Sequence, residues 1–107
     1  MEESNKQKSK RLRVAFRESV FERDRHKCVF CDITSELDAH HITDRHLMPN
    51  DGYTIWNGIS LCSEHHLMAE QFHISEGQNW EPGFHPDDLY AKIGSSYEKA
   101  VEESEKL

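Results

Sequence analysis

Three cysteines and eight histidines are a large supply of metal-binding side chains for 107 residues. Cys28-Val-Phe-Cys31 is matched about thirty residues later by Cys62-Ser-Glu-His65. Two thiolates separated by two residues can grip one tetrahedral ion, because the turn between them aims both sulfurs inward. A second pair from a distant segment closes the coordination and staples two parts of the chain together. Four protein ligands leave no open position, so such a site contributes to folding and not to catalysis. His65 fits the fourth place by spacing, with His26 and His66 as competitors. The odd cysteine count argues against a disulfide framework. The plainer alternative, that Cys28 and Cys31 are only small buried hydrophobes, does not explain the second pair.

A further set of side chains lies between and after these pairs. His40 and His41 are adjacent, and adjacent residues of a strand point to opposite sides, so the two should not share one job. Glu70 follows His66 by one helical turn on the same face and is a further candidate metal ligand; His73 is roughly aligned with both. Asn57 is too neutral to be a base, but its amide can bond backbone and hold a loop. Arg45 is the one cation between residues 28 and 80; it suits either an anion or an ion pair with Asp44 or Asp51. His46 and His85 read as surface residues, and Trp56 as core packing.

The elements that must position these groups follow from periodicity. Leu12, Phe16 and Val20 recur at helical spacing, with Arg13 and Arg17 on another face, which predicts a helix over about 11–24. Residues 37–43 read as a short strand. A loop with its turn at Pro49-Asn50-Asp51-Gly52 follows, and residues 58–61 form a second strand. Ser63 is the expected N-cap of a helix over about 64–72. Residues 75–85 are a linker. Pro86 opens a final helix, with Asp87 and Asp88 near its positive end and a stripe of Leu89, Ile93, Tyr97 and Val101, weakened by Gly94-Ser95-Ser96. Residues 1–10 are polar and are expected as a basic, flexible tail. The expected organisation is one domain: tail 1–10, core 11–74, and linker with acidic C-terminal helix 75–107.

The net charge of −7 is unevenly spread. Residues 1–27 carry +4, residues 28–80 carry −7 and residues 81–107 carry −4. A basic N-terminal arm on an acidic body can still bind phosphates. No apolar run approaches the roughly 20 residues of a membrane-spanning helix, and no N-terminal apolar stretch suggests a secretion signal. The expectation is a cytoplasmic protein without a membrane partner.

Three stretches carry a specific resemblance: Phe21-Glu-Arg-Asp-Arg-His-Lys-Cys28, Ala39-His40-His41-Ile42, and Asn57-Gly-Ile-Ser-Leu-Cys62-Ser-Glu-His65-His66. Together they resemble the HNH endonuclease family, in the branch with a zinc knuckle around a ββα unit. His41, Asn57 and His66 would supply the three letters of that name. One departure is His65, where many relatives have cysteine. The resemblance implies an α+β fold: a small zinc-stapled ββα-metal (His-Me finger) core with flanking N- and C-terminal helices. It implies a metal-dependent endonuclease hydrolysing phosphodiester bonds of DNA, with RNA left open as substrate. His41 would be the general base, Asn57 its orienting residue, and His40, His66 and Glu70 the ligands of a catalytic Mg²⁺, Mn²⁺ or Ni²⁺. Cys28, Cys31, Cys62 and His65 would hold structural Zn²⁺, and Arg45, Arg13 and Arg17 would bind substrate. Phosphodiester hydrolysis asks for such parts: a base near neutrality and positive charge on the phosphate. No second recognition domain is visible, so specificity would come from a homodimer, a larger phage or bacterial protein partner, or DNA structure. The competing expectation is a non-catalytic zinc-ribbon module that binds nucleic acid or another protein.

Overall fold

At the N-terminus Ser4 and Gln7 form a reciprocal cap. The Ser4 hydroxyl accepts from the Gln7 backbone amide at 3.1 Å, and the Gln7 side chain accepts from the Ser4 amide at 2.9 Å. This capping box satisfies two orphan donors and starts helix α1 at Asn5, ahead of the expected start at 11. In the computed structural model, which describes residues 2–107, the order is α1 (Asn5–Arg23), strand β1 (Asp38–His41), strand β2 (Gly58–Leu61), α2 (Ser63–Ile74), α3 (Pro86–Lys92) and α4 (Tyr97–Glu105). Short 3-10 turns fill the connection between the strands. Residues 5–10, expected as flexible tail, therefore belong to α1.

The fold class is α+β: among the described residues, four helices surround one two-stranded antiparallel sheet, with a helix-free segment over 24–37 before β1. His40 pairs with Ile59 and His41 with Gly58. Side chains alternate across a strand, and the two faces of this sheet meet different partners. Gly58 and Ser60 face α1. A Cβ on Gly58 would lie 2.6 Å from Val20 and 2.7 Å from Phe16, so the helix can approach only because glycine stands there. Ile59 and Leu61 face the other way, into the main core with Ala69, Leu89, Tyr90 and Ala100. Phe16, Val20 and Tyr53 form a second, smaller core on the α1 side. All of β2 is buried.

Arg23 and Asp24 latch the end of α1 to β2. The Arg23 guanidinium donates to the backbone oxygens of Ile55 and Gly58 and pairs with Asp24 at 2.8 Å; Asp24 in turn accepts from the Ser60 amide at 2.9 Å. Two expectations need correction. Cys62, not Ser63, is the N-cap residue of α2, and its side chain makes no cap bond. The expected final helix is two helices, because Gly94 adopts φ +69° and Ser96 starts α4 with a bond from the Lys99 amide. Three of the four stripe residues still pack on the core, Leu89 fully and Ile93 and Val101 in part, while Tyr97 is 47% exposed.

Candidate metal centres

The chain brings Cys28, Cys31, Cys62 and His65 together, with one donor atom from each lying within 4.8 Å of the others. Cys31 Sγ is 3.7 Å from Cys62 Sγ, and His65 Nδ1 is 3.6 Å from Cys28 Sγ and 3.2 Å from Cys62 Sγ. Tetrahedral zinc with Zn–S near 2.3 Å and Zn–N near 2.0 Å has donor–donor edges of about 3.8 Å and about 3.5 Å. The spacing and the donor types thus suit a closed structural metal site, of which zinc is an example. His26 and His66 take no part in this group. Phe30 stacks on the His65 imidazole at 5.3 Å and fixes its plane.

The sulfurs are electrostatically set for a cation. Burial raises the Cys28 thiol, but the backbone amides of Cys62, Phe30 and Cys31 directed at it more than offset this, and the net shift is downward. Cys31 moves up to about 11: the Ile33 amide lowers it, while burial and the neighbouring Cys28 and Cys62 sulfurs raise it further. Several thiols crowded together cannot all ionise unless positive charge is supplied at their centre.

A second group forms between β1 and α2. His40, from β1, meets His66 and Glu70, one turn apart on α2, and these three also have donor atoms within 4.8 Å of one another. Glu70 Oε1 lies 3.1 Å from His40 Nδ1 and 3.2 Å from His66 Nε2. His40 is 2% exposed, and neither of its ring nitrogens has a hydrogen-bond partner; the Glu70 oxygen is near Nδ1 but off its bonding direction. Such orphaned nitrogens are costly in a protein interior, and a cation held with Glu70 would satisfy one of them. Burial lowers the His40 pKa, favouring the neutral ring that a metal takes. The adjacent His40 imidazole, 3.1 Å away, brings the Glu70 carboxyl down to about 2 against the opposing effect of burial, so it is ionised. The residues present therefore fit a divalent ion.

Asp38 was not among the expected site residues. Its carboxylate lies 3.3 Å from His66 Nδ1, so both nitrogens of that ring face carboxylates. The signal lies in the sequence, since Asp38 is two residues before His40 and shares its face of the strand.

His41 points to the opposite side. Its ring stacks on Phe16 at 4.4 Å and meets Tyr53 edge-on at 5.3 Å. Burial, reinforced by the neighbouring His40 ring and the Arg45 charge, pushes its pKa down to about 4, which keeps the ring neutral at neutral pH. Nε2 is buried without a partner, which leaves Nδ1 as the nitrogen on the groove side. His41 lines two adjoining grooves. One, of about 420 Å³, is flanked by Arg13, Arg17 and Arg45; the other, of about 200 Å³, holds His40, His66, Glu70 and His73. Arg45 lines both, lies over the Tyr53 ring and reaches Asp51 only at 3.9 Å.

Asn57 is fully buried beneath this edge. It accepts from the Thr43 amide and the Tyr90 hydroxyl, and donates to the backbone oxygens of Thr43 and Gly52. Its own backbone oxygen accepts from Ile42 at 2.9 Å. The residue thus fastens the chain just past His41. Elsewhere, His46 is exposed beside Asp44. Trp56 packs against the core with Lys99 over its ring. His85 has more than a surface role: its Nδ1 caps α3 by accepting from the Asp87 amide.

No protein-family profile, curated protein or solved structure matches this chain. Among the described residues no helix is long and apolar enough to cross a membrane.

Proposed function

We propose that the chain is a metal-dependent endonuclease of the HNH kind, with a ββα-metal core, hydrolysing phosphodiester bonds of DNA. The observation that carries this reading is the position of His41. A neutral imidazole lies where a groove lined by Arg13, Arg17 and Arg45 meets the group formed by His40, His66 and Glu70. The arginines bind the phosphodiester backbone. His41 Nδ1 takes the proton of a water that attacks phosphorus, the P–O ester bond breaks with its electron pair on the leaving oxygen, which takes a proton from solvent, and the abstracted proton rests on the imidazole. His40, His66 and Glu70 would hold a divalent ion, which would supply positive charge to the phosphate and the leaving oxygen. Phe16 and Tyr53, themselves in contact, pack against the His41 ring, and Asn57 anchors the backbone that follows it. The Cys28–Cys31–Cys62–His65 group holds structural zinc and takes no part in the chemistry.

The test uses purified protein and supercoiled plasmid, with Mg²⁺, Mn²⁺ or Ni²⁺ against a chelator control. Wild type should nick in at least one metal, and His41→Ala should lose at least about a hundredfold, as expected when a general base is removed. Equal melting temperature and zinc content in the two proteins would show that the variant is folded. Binding of plasmid without cutting under every metal would replace this reading with that of a nucleic-acid-binding module.

A further inference from the structure

His73 lies outside the metal-donor group, yet touches both halves of the site. Its Nε2 is 2.9 Å from the backbone oxygen of His41, and its ring stacks on His40 with centroids 5.2 Å apart and planes 23° from parallel. A carbonyl oxygen only accepts, so Nε2 must carry the proton of this bond. On α2, His66, Glu70 and His73 follow at intervals of four and three residues, which places them along one helix face. The helix that carries two of the metal donors therefore also grips the strand end that carries the base. The clamp at His41 completes a series along the chain. The Ile42 amide is held by the Asn57 backbone oxygen, and Thr43 by the Asn57 side chain on both its amide and its oxygen. Asn57 fastens the strand end to the loop before β2; His73 fastens it to α2.

We infer that His73 is a positioning residue, which sets the separation between the His41 imidazole and the donors of α2 by holding the His41 carbonyl and the face of the His40 ring. The inference rests on the nuclease reading for its kinetic consequence, but the clamp itself is independent of it. A displacement of about 1 Å at a reacting centre can cost about a hundredfold in rate. Loss of this bond should therefore act on turnover, not on substrate binding.

Three variants separate the roles. His73→Phe keeps a ring against His40 and removes the donor. His73→Gln replaces the ring with an amide whose nitrogen reaches as far as Nε2. His73→Ala removes both. With a labelled duplex oligonucleotide and Mn²⁺, His73→Phe should lower kcat about tenfold to a hundredfold with KM within about twofold. His73→Gln should recover most of that loss. The second readout needs no activity: long-range ¹H–¹⁵N correlations of the imidazoles in the zinc-loaded protein should show His73 as the Nε2–H tautomer. A proton on Nδ1, or His73→Phe turning over at the wild-type rate, would overturn the proposal. If wild type cuts nothing in any metal, the nuclease reading fails while the tautomer still decides whether the clamp exists.

Discussion

Asn57 and Thr43 clasp each other by two hydrogen bonds of 3.0 Å, one in each direction between the Asn57 amide and the Thr43 backbone. The clasp ends the strand. β1 stops at His41 and does not run to residue 43: the Ile42 amide still reaches the Asn57 backbone oxygen in register, but the Asn57 amide turns back to the Thr54 oxygen and the Thr43 backbone bonds the Asn57 side chain, so the ladder ends there. Asn57→Ala would leave the Thr43 amide and carbonyl and the Gly52 carbonyl without these partners in a buried setting. The expected loss is about 2–3 kcal/mol, read from urea denaturation. Asn57→Asp keeps the acceptor but sets a carboxylate against the oxygens of Thr43 and Gly52, and should be at least as damaging. A stability within about 0.5 kcal/mol of wild type for either variant would deny the clasp its structural weight.

Zinc should decide whether the chain folds. Structural zinc in small domains is worth on the order of 10 kcal/mol, comparable to the entire stability of a domain. Metal analysis should find about one tightly held zinc per chain. A strong chelator should abolish the thermal transition seen by circular dichroism, and Cys28→Ser should not reach the native state. A cooperative transition that persists unchanged after zinc removal would exclude the structural role.

Arg13 and Arg17 are exposed on α1 along the groove beside His41. Replacing both by Ala should leave the melting temperature within a few degrees, since neither anchors the core. Affinity for duplex DNA should fall, and the slope of log K against log salt should flatten by about 0.9 for each phosphate that is no longer neutralised. An unchanged slope would remove these residues from the substrate surface.

Tyr90 makes stability depend on alkaline pH. Its hydroxyl is bonded to Asn57 and Thr43, and burial pushes its pKa up to about 12. In the unfolded chain the phenol ionises near pH 10. Between these values the unfolded state gives up a proton that the folded state keeps, so stability falls as pH rises from about 10 to about 12 and is unaffected by this group below about 10. The shift is worth on the order of 2 kcal/mol. Subtracting the Tyr90→Phe stability curve from that of wild type should isolate the decline; a difference that is flat above about pH 10 would refute it.

Much of this arrangement is legible in the chain. Cys28-x-x-Cys31 and Cys62-x-x-His65 state their pairing by local spacing, because a tight turn leaves paired donors few directions to point. Period-two alternation along β1 likewise separates His40 from His41 before any packing is known, and the four-residue interval places Glu70 beneath His66. What spacing cannot express is which distant surface meets each face. Only the tertiary structure put α1 across the His41 side, where Gly58 lets Phe16 come close enough to stack on the imidazole. Only packing turned His85 into a cap and split the last helix, where the backbone conformation of Gly94 overrode an apolar stripe of helical period. His73 shows the same limit. Its place on the α2 face follows from the sequence, but its bond to the His41 carbonyl depends on how closely helix and strand approach, and that distance is set by the core between them.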